Sequence, residues 1–324
     1  MWGFIYVGAF IAAFTVSAIL KMKVDPFAGK YTVHWDSSVG MVYTDLSNGD
    51  GEANKFDLYV PADSGRESYG LVVYLHPGGF TSGDKSGDQE MLAWLCAKGY
   101  VAAGINYTLF SEENPQANVY TQSVEIRDSI PFVIAEAEKL GYPIDKMAVA
   151  GGSAGHTLAM LYAYRDADIS PVPVKMVFGA VGPSSFYLED WINMGADPEH
   201  PNPVDPNTDY SGIAGLFSAM AGKEITADMF ATGAYLEQVK DISAAMWIDE
   251  DSVPTVCAYG AWDRVQAFGA SRRLEAALTE NNVPHEYIVF SHSGHGLQND
   301  NRLYGSYMDK VEEYLEIYMP IDRK

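Results

Sequence analysis

The sequence predicts an α/β domain with a mostly parallel central sheet, helices on both faces and an antiparallel hairpin at its N-terminal end. Short apolar runs of strand length alternate with helix-length segments from residue 69 onward, which is typical of parallel strands joined by helical crossovers. Before them, the runs 41–46 and 55–60 flank Ser-Asn-Gly-Asp-Gly. A short link rich in these residues favours a hairpin.

Each later element has its own signal. The run 69–76 is continuously apolar, as expected of a strand that is buried on both faces. The helix predicted over 90–99 ends at Gly99, because glycine favours helix termination. By the same criteria, further strands are predicted over 100–107, 146–151, 174–182, 253–260 and 285–290, and further helices over 122–140, 271–281 and 306–319.

One connection is much longer than the others. About 70 residues separate the strand 174–182 from the strand 253–260, far more than an ordinary crossover needs. The first half of this stretch is rich in proline, aspartate and asparagine, and the second half has a helical pattern. We expect residues 184–250 to form a cap that is inserted before the strand 253–260, within a domain over 41–324.

The N-terminal end differs in kind from the rest of the chain. Residues 2–20 carry no charged side chain, and Lys21 and Lys23 follow at once. A helix of this length nearly spans a bilayer core of about 30 Å. We therefore expect residues 1–23 to be a membrane anchor and 24–40 a linker. The lysines favour the cytoplasmic face for the domain that follows; secretion after cleavage of this segment, or a buried core helix, is the alternative.

Composition narrows the function classes. The net charge is -22 and the pI is about 4.5, so the surface repels phosphate backbones and nucleic-acid binding is not expected. Cys96 and Cys257 lie in apolar stretches and are predicted to be buried free thiols, although a disulfide is not excluded. No cysteine–histidine cluster has the spacing of zinc ligands. The sequence leaves the oligomeric state open.

The candidate nucleophile is Ser153, which lies in Gly151-Gly152-Ser153-Ala154-Gly155. This stretch matches G-x-S-x-G, follows a predicted strand and opens a predicted helix, which is the context that the motif requires. A serine on such a turn has strained backbone angles, so its neighbours two positions away must lack bulk. A glycine-rich turn with a purely structural role is the alternative, and further segments are needed to decide.

The second segment is His76-Pro77-Gly78-Gly79-Phe80, after an early strand. Gly78 and Gly79 offer backbone N–H groups with no side chain in the way, as a developing oxyanion requires. The N–H of Ala154 at the helix start would complete the oxyanion hole. Pro77 has no N–H and cannot be a donor, and we expect His76 to order the loop.

The remaining partners follow the last two strands. Asp263 comes just after one strand and His295 just after the next. In this arrangement the histidine would accept the serine proton, and the aspartate would hold the imidazole in the right tautomer. His292 is a rival base, but glycines flank His295, which suits a loop tip that enters a site. His156 is expected to pack on the helix after the nucleophile.

With these motifs in place, the chain resembles the hormone-sensitive-lipase-like branch of the α/β-hydrolases, particularly bacterial carbohydrate and feruloyl esterases. The matching stretches are 76–84, 151–155, 259–265 and 294–296, and the resemblance covers roughly residues 41–319. It implies the α/β-hydrolase fold, a serine esterase mechanism through an acyl-enzyme, a small-molecule ester as substrate, and no cofactor.

Two departures from the family pattern stand out. Pro77 replaces the first glycine of the oxyanion motif, but the two donor glycines remain. The stretch 106–109, Asn-Tyr-Thr-Leu, replaces the usual Tyr-Arg-Leu, so the packing that depends on that arginine is not expected here. Neither departure affects the Ser-Asp-His set.

Other functions compete with ester hydrolysis. A serine peptidase or amidase could use the same triad, although peptidases of this fold usually carry an extra domain before the catalytic one. A binding protein on the same scaffold would typically lack the serine or the histidine. Asp205, Asn207 and Asp209 alternate as in a calcium loop, but Tyr210 and Leu216 stand where glycine and glutamate are needed, so no metal site is expected.

Aromatic side chains near the predicted site suit an acyl or aryl group, or else a packed core. Phe80 and Trp262 are the candidates for substrate contact. Three others lie in the predicted cap: Phe186, Tyr187 and Trp191.

Overall fold

The computed structural model describes residues 30–49, 51 and 53–321. The chain forms two compact units, Met1–His34 and Trp35–Lys324. Of the first unit only residues 30–34 are described, so the predicted anchor over 2–20 and residues 24–29 of the predicted linker lie outside the described residues. Within the described part, no helix combines the length and apolarity needed to cross a membrane.

The second unit is built on an eight-stranded sheet with the order β1-β2-β4-β3-β5-β6-β7-β8. The strand β2 runs antiparallel to both of its neighbours, and the strands from β4 to β8 are parallel. The predicted hairpin and the mostly parallel sheet are therefore confirmed. The strands are β1 Gly40–Ser47, β2 Lys55–Pro61, β3 Tyr69–Leu75, β4 Val101–Ile105, β5 Ile144–Gly152, β6 Val174–Ala180, β7 Thr255–Gly260 and β8 His285–Phe290.

Helices connect the parallel strands, and several short helices lie between β6 and β7. The described α-helices are α1 Gln89–Ala97, α2 Val119–Lys139, α3 Ala154–Arg165, α4 Leu188–Trp191, α5 Ser211–Ala221, α6 Ala227–Thr232, α7 Tyr235–Val239, α8 Phe268–Glu280 and α9 Asn301–Tyr318. Helix α2 begins three residues before its predicted start. Asn118 and Thr121 form a reciprocal capping box there, which satisfies N–H groups that a helix start leaves unpaired.

The central strands form the core of the unit. In β3 every residue except Tyr74 is buried, and all of β4 is buried, which explains their continuous apolar sequences. Strand β1 is at one edge of the sheet and is mostly exposed. Between β6 and β7, Phe186 stacks on Trp191 at 5.1 Å between ring centroids and meets Phe217 edge-on at 5.5 Å. These aromatic side chains are part of a packed core.

The two cysteines are free thiols, as predicted. Cys96 and Cys257 are both buried and neither is in a disulfide. Burial raises the pKa of the Cys96 thiol to about 12 and raises the pKa of Cys257 as well. A thiol that stays protonated at neutral pH is a poor nucleophile, so neither cysteine competes with Ser153 for that role.

Candidate active site

Ser153 lies on the sharp turn between β5 and α3, with φ 49° and ψ -118°. A residue other than glycine with positive φ is uncommon and costs free energy, so such strain is retained mainly at functional positions. The Ser153 N–H donates to the carbonyl oxygen of Ala180 at 2.8 Å. This bond ties the turn to the end of the neighbouring strand β6.

The glycines on either side of the serine are required by the close approach of backbone segments. A Cβ on Gly155 would lie 1.9 Å from the carbonyl oxygen of Leu75, and one on Gly151 would lie 2.4 Å from the carbonyl carbon of Gly155. The start of α3 therefore packs directly on the end of β3, and only glycine fits between them. This packing is the physical reason for the glycines at positions 151 and 155.

The serine, histidine and aspartate form a continuous hydrogen-bonded chain. The Ser153 Oγ lies 2.9 Å from Nε2 of His295, and Nδ1 of His295 lies 2.8 Å from Oδ2 of Asp263. The three residues follow β5, β8 and β7, so they meet because the carboxyl ends of parallel strands share one edge of the sheet. Residues 153 and 295 are far apart in the chain, and the fold of the sheet brings them into contact.

The loops that carry the histidine and the aspartate pack tightly on each other. Asp263 is 0 % exposed, and its second oxygen accepts hydrogen bonds from the N–H groups of Val265 at 2.8 Å and Gln266 at 3.1 Å. A Cβ on Gly260 would lie 2.2 Å from the carbonyl oxygen of Gly294, so the two loops approach backbone to backbone. The carboxylate is thereby fixed in position, as a residue that orients an imidazole must be.

The other two histidines considered from the sequence lie elsewhere. The side chain of His292 is 78 % exposed and its Nδ1 lies 2.9 Å from Asp300, so it does not reach the serine. His156 is buried in α3, where its Nδ1 accepts a hydrogen bond from the N–H of Gly182 at 3.2 Å. Burial lowers the pKa of His156 to about 3, so this ring is neutral and part of the packing.

Residues 76–84, which carry the predicted oxyanion donors Gly78 and Gly79 and are called the donor loop below, have an unusual backbone. Gly78, Gly79 and Phe80 have φ angles of 136°, 59° and 68°. The carbonyl of Gly78 accepts from the N–H groups of Thr81 and Ser82 at 3.1 and 3.0 Å. Within the described part of the chain, the N–H groups of Gly78 and Gly79 have no acceptor.

The third predicted donor, the N–H of Ala154, is unpaired within the described part of the chain, like those of Gly78 and Gly79. Ala154 opens α3 directly after Ser153, and its N–H likewise has no acceptor among the described residues. The first N–H groups of a helix lack intrahelical partners and carry the positive end of the helix dipole. All three predicted donors are thus available to an anion.

Comparison with known proteins identifies the family of this chain. The BD-FAE family model matches residues 56–278, which is more than half of the chain. The chain belongs to the BD-FAE family. The matched range contains the donor loop, the nucleophile turn and Asp263, and it ends before His295.

Curated proteins and solved structures that are similar to this chain include ester hydrolases. The probable carboxylic ester hydrolase LipM of Mycobacterium tuberculosis is 28% identical over 127 residues, 38% of this chain and 28% of that protein. An ethyl acetate hydrolase of Pseudomonas putida is 30% identical over 121 residues, 36% of each chain. The matched regions thus span about a third of these relatives. Inhibited esterase B from Lactobacillus rhamnosis shares the fold, with a TM-score of 0.62 at 16% identity over 97% of both chains.

Several side chains hold the donor loop in place, and the sequence analysis did not predict their contacts. The Gln122 side chain is buried and donates to the carbonyl oxygens of Phe80 at 2.9 Å and Thr108 at 2.8 Å. His76 stacks on Tyr107 with 4.3 Å between ring centroids, and the Tyr107 hydroxyl donates to the His76 carbonyl at 2.9 Å. Gln122 lies at the start of a predicted helix, where no sequence pattern signals a contact with residue 80.

Asn106, in the stretch that replaces the usual Tyr-Arg-Leu, makes two side-chain hydrogen bonds to residues that follow Gly83. Its amide donates to Asp84 at 2.7 Å, and its carbonyl accepts from the N–H of Lys85 at 2.7 Å. Burial alone would raise the pKa of Asp84, but hydrogen bonds from Ser86 and Asn106 outweigh it and lower that pKa to about 2. The end of β4 is therefore joined to the donor loop through an amide.

The two aromatic candidates for substrate contact differ in exposure. Phe80 is 6 % exposed and belongs to the core cluster. Trp262 is 44 % exposed, its indole N–H donates to the carbonyl of Ser291 at 3.0 Å, and it lines a cavity of about 320 Å³ with Phe268 and Tyr287. Trp262 therefore offers the larger surface to a ligand.

Proposed function

We propose that this protein is a serine carboxylester hydrolase that acts through an acyl-enzyme on small to medium acyl or aryl esters. The observation that carries the proposal is the chain of hydrogen-bonding contacts from Ser153 through His295 to Asp263, at 2.9 and 2.8 Å. A serine, an imidazole and a buried carboxylate at these distances form the arrangement of known serine hydrolases. The reaction needs no cofactor.

The first half of the reaction forms the acyl-enzyme. The Ser153 oxygen attacks the ester carbonyl carbon while Nε2 of His295 takes the hydroxyl proton. The carbonyl oxygen becomes an oxyanion and accepts hydrogen bonds from the N–H groups of Gly78, Gly79 and Ala154. The tetrahedral intermediate then breaks its bond to the alcohol oxygen, which receives the proton from His295 and leaves as the free alcohol.

The second half restores the enzyme. A water molecule gives a proton to His295 and attacks the acyl carbon, and the same donors stabilise the second oxyanion. The bond to Ser153 breaks, its oxygen recovers the proton, and the carboxylic acid leaves. Throughout, the buried carboxylate of Asp263 holds the His295 ring and stabilises its positive charge.

Removal of the serine hydroxyl tests the proposal. We expect Ser153→Ala to abolish hydrolysis of p-nitrophenyl acetate and to keep the wild-type fold by circular dichroism. The matched control is Ser306→Ala, on the exposed face of α9, which should keep full activity. Residual activity above one tenth of wild type in Ser153→Ala would exclude this serine as the nucleophile.

The same assay separates the alternatives. A peptidase or amidase would hydrolyse p-nitroanilides in preference to p-nitrophenyl esters, and a binding protein would turn over neither. A series of p-nitrophenyl esters from acetate to laurate, with acetylated sugars and feruloyl esters, defines the acyl and alcohol range. Phe80 and Trp262 are our candidates for contact with the acyl or aryl group; Trp262→Ala should raise KM for aryl esters more than for acetate.

We also infer that residues 2–20 anchor the protein to a membrane with the catalytic domain on the cytoplasmic face. The support is the uncharged sequence of this segment and the lysines that follow it. The full chain should pellet with membranes, and a version that begins at Val24 should stay in solution and hydrolyse p-nitrophenyl acetate. A full chain that stays in solution without detergent would refute the anchor, and loss of the segment from the mature protein would indicate secretion after cleavage.

A further inference from the structure

An acidic residue outside the triad bonds to the loop that carries the catalytic base. Asp300 is the N-cap residue of α9, but its side chain makes no capping hydrogen bond to that helix. An aspartate at this position usually accepts from N–H groups of the first helical turn and stabilises the helix. The Asp300 carboxylate instead bonds to residues 291–295, called the base loop below, which end at His295. A capping interaction is therefore given up in favour of this loop.

Three groups of the base loop converge on the Asp300 carboxylate. Its Oδ2 accepts from the N–H of His292 at 3.0 Å and from the hydroxyl of Ser293 at 2.7 Å. Its Oδ1 lies 2.9 Å from Nδ1 of His292. Burial alone would raise the pKa of Asp300, but hydrogen bonds from Ser293 and His292 outweigh it and lower that pKa. The carboxylate is therefore ionised at neutral pH and acts only as an acceptor.

Ser293 connects this carboxylate to the rest of the site. The residue is 0 % exposed, and its hydroxyl also accepts from the N–H of Asn299 at 3.0 Å. Its carbonyl accepts from the N–H of Trp262 at 3.0 Å, and Trp262 directly precedes Asp263. The base loop is thus bonded on one side to the start of α9 and on the other to the loop of the catalytic acid. These bonds fix the backbone two residues before His295.

The His295 ring needs such restraints from outside. Gly294 and Gly296 flank it, and glycine has more backbone freedom to lose than any other residue. The His295 side chain is 25 % exposed, so packing encloses it only in part. Yet its two nitrogens must stay within 3 Å of Ser153 and Asp263, and a misplacement of about 1 Å costs on the order of 100-fold in rate.

We propose that Asp300 and Ser293 are positioning residues for the catalytic base. Through their hydrogen bond they hold the base loop so that the ring of His295 reaches both the nucleophile and the acid. The inference rests on the proposed esterase function and adds two residues on which the reaction depends. Neither residue touches the substrate, because both act through the backbone of the base loop.

Replacement of the carboxylate tests this role. Asp300→Ala should lower kcat for p-nitrophenyl acetate by roughly 10- to 100-fold and leave KM within about twofold, because His295 acts in both halves of the reaction and not in substrate binding. Asp300→Asn keeps an acceptor oxygen for the Ser293 hydroxyl and the His292 N–H, so its kcat should stay within about threefold of wild type. The control is Glu316→Ala, which removes a carboxylate from the exposed face of the same helix and should leave both parameters unchanged.

Two further measurements separate positioning from a general loss of stability. Ser293→Ala removes the other half of the bond and should lower kcat roughly tenfold, and the double variant should lose clearly less than the product of the two single losses. The proton between Nδ1 of His295 and Asp263 should give a strongly deshielded proton NMR signal that disappears in His295→Ala. This signal should shift or broaden in Asp300→Ala and stay unchanged in Asp300→Asn. A protein that is only less stable would keep the signal in its folded fraction.

Three results would overturn the inference. One is a folded Asp300→Ala variant with kcat within about threefold of wild type; if that variant does not fold, the same result for Ser293→Ala decides. Another is an equal loss in Asp300→Ala and Asp300→Asn, because the charge and not the hydrogen bonds would then matter. The third is a double variant whose loss equals the full product. In each case hydrolysis of p-nitrophenyl acetate by the wild type would leave the esterase proposal standing, whereas no hydrolysis of any ester by the wild type would refute that proposal itself.

Discussion

Replacement of Gly155 by alanine tests whether the packing of α3 on β3 positions the nucleophile. The added Cβ would lie 1.9 Å from the Leu75 carbonyl oxygen and 2.8 Å from that of His76. Both atoms belong to backbone at the end of a central strand, so neither can rotate away as a side chain could. The first turn of α3 must therefore move away from β3, and Ser153 must move with it.

The size of the effect follows from these distances. A carbon and an oxygen normally approach to about 3.3 Å, so the contact with Leu75 requires a shift of about 1.4 Å. Overpacking of this kind costs about 1–3 kcal/mol or more, and alanine recovers about 0.5–1 kcal/mol of helix propensity. We expect a net loss of roughly 0.5–2 kcal/mol or more in the free energy of unfolding. A misplacement of about 1 Å costs about 100-fold in rate, so kcat/KM should fall by at least that factor.

The measurements are urea unfolding and kcat/KM for p-nitrophenyl acetate. Gly215→Ala in α5 is the matched control, because it makes the same change in a helix where the added Cβ meets nothing within 4 Å. That variant should be slightly more stable than wild type and equally active. If Gly155→Ala keeps wild-type stability and activity, the tight backbone approach does not position the serine and the reasoning is wrong.

The other predictions concern the acid, the base and a buried histidine. His295→Ala should lower kcat by about 10⁴-fold or more, while His292→Ala should cost less than tenfold; the reverse result would exchange their roles. Asp263→Asn should lower kcat by about 10⁴-fold through the wrong imidazole tautomer, and a loss below tenfold would contradict this. The pKa of His156 is about 3 in the folded protein and about 6.5 when unfolded, so the unfolded state binds the proton first. The free energy of unfolding should therefore fall as pH drops from about 6.5 to 3, by up to about 4 kcal/mol, and His156→Gln should flatten that decline; equal pH dependence of the two proteins would refute it.

Local patterns in the sequence predicted most of the fold. Continuous apolar runs located the buried strands β3 and β5 because burial on both faces removes the polar alternation that marks an exposed strand. The predicted ends of helices and strands were less accurate, because side-chain contacts determine where these elements begin and end. Helix α2 starts early because Asn118 and Thr121 cap each other, and β4 ends at Ile105, before the Asn106 side chain bonds to the donor loop.

The residues of the candidate site were likewise predicted only in part from the sequence. The motif and its context predicted Ser153, and the flanking glycines favoured His295 over His292; the observed distances agree with both choices. The contact of Gln122 with Phe80 could not be predicted, because it joins distant parts of the chain through tertiary packing alone. A buried glutamine has no spacing rule that would identify it in a sequence.

The central claim is that Ser153 is the nucleophile of an esterase, and covalent labelling tests it most directly. An organophosphate ester such as paraoxon phosphorylates an activated serine and expels p-nitrophenol, because the oxyanion donors and the base act on phosphorus as they do on a carbonyl carbon. Mass spectrometry of the intact protein should show one diethylphosphoryl group per chain, located on the peptide that contains Ser153, with loss of p-nitrophenyl acetate hydrolysis in proportion. Labelling at another residue, or full loss of activity without a label on Ser153, would contradict the account.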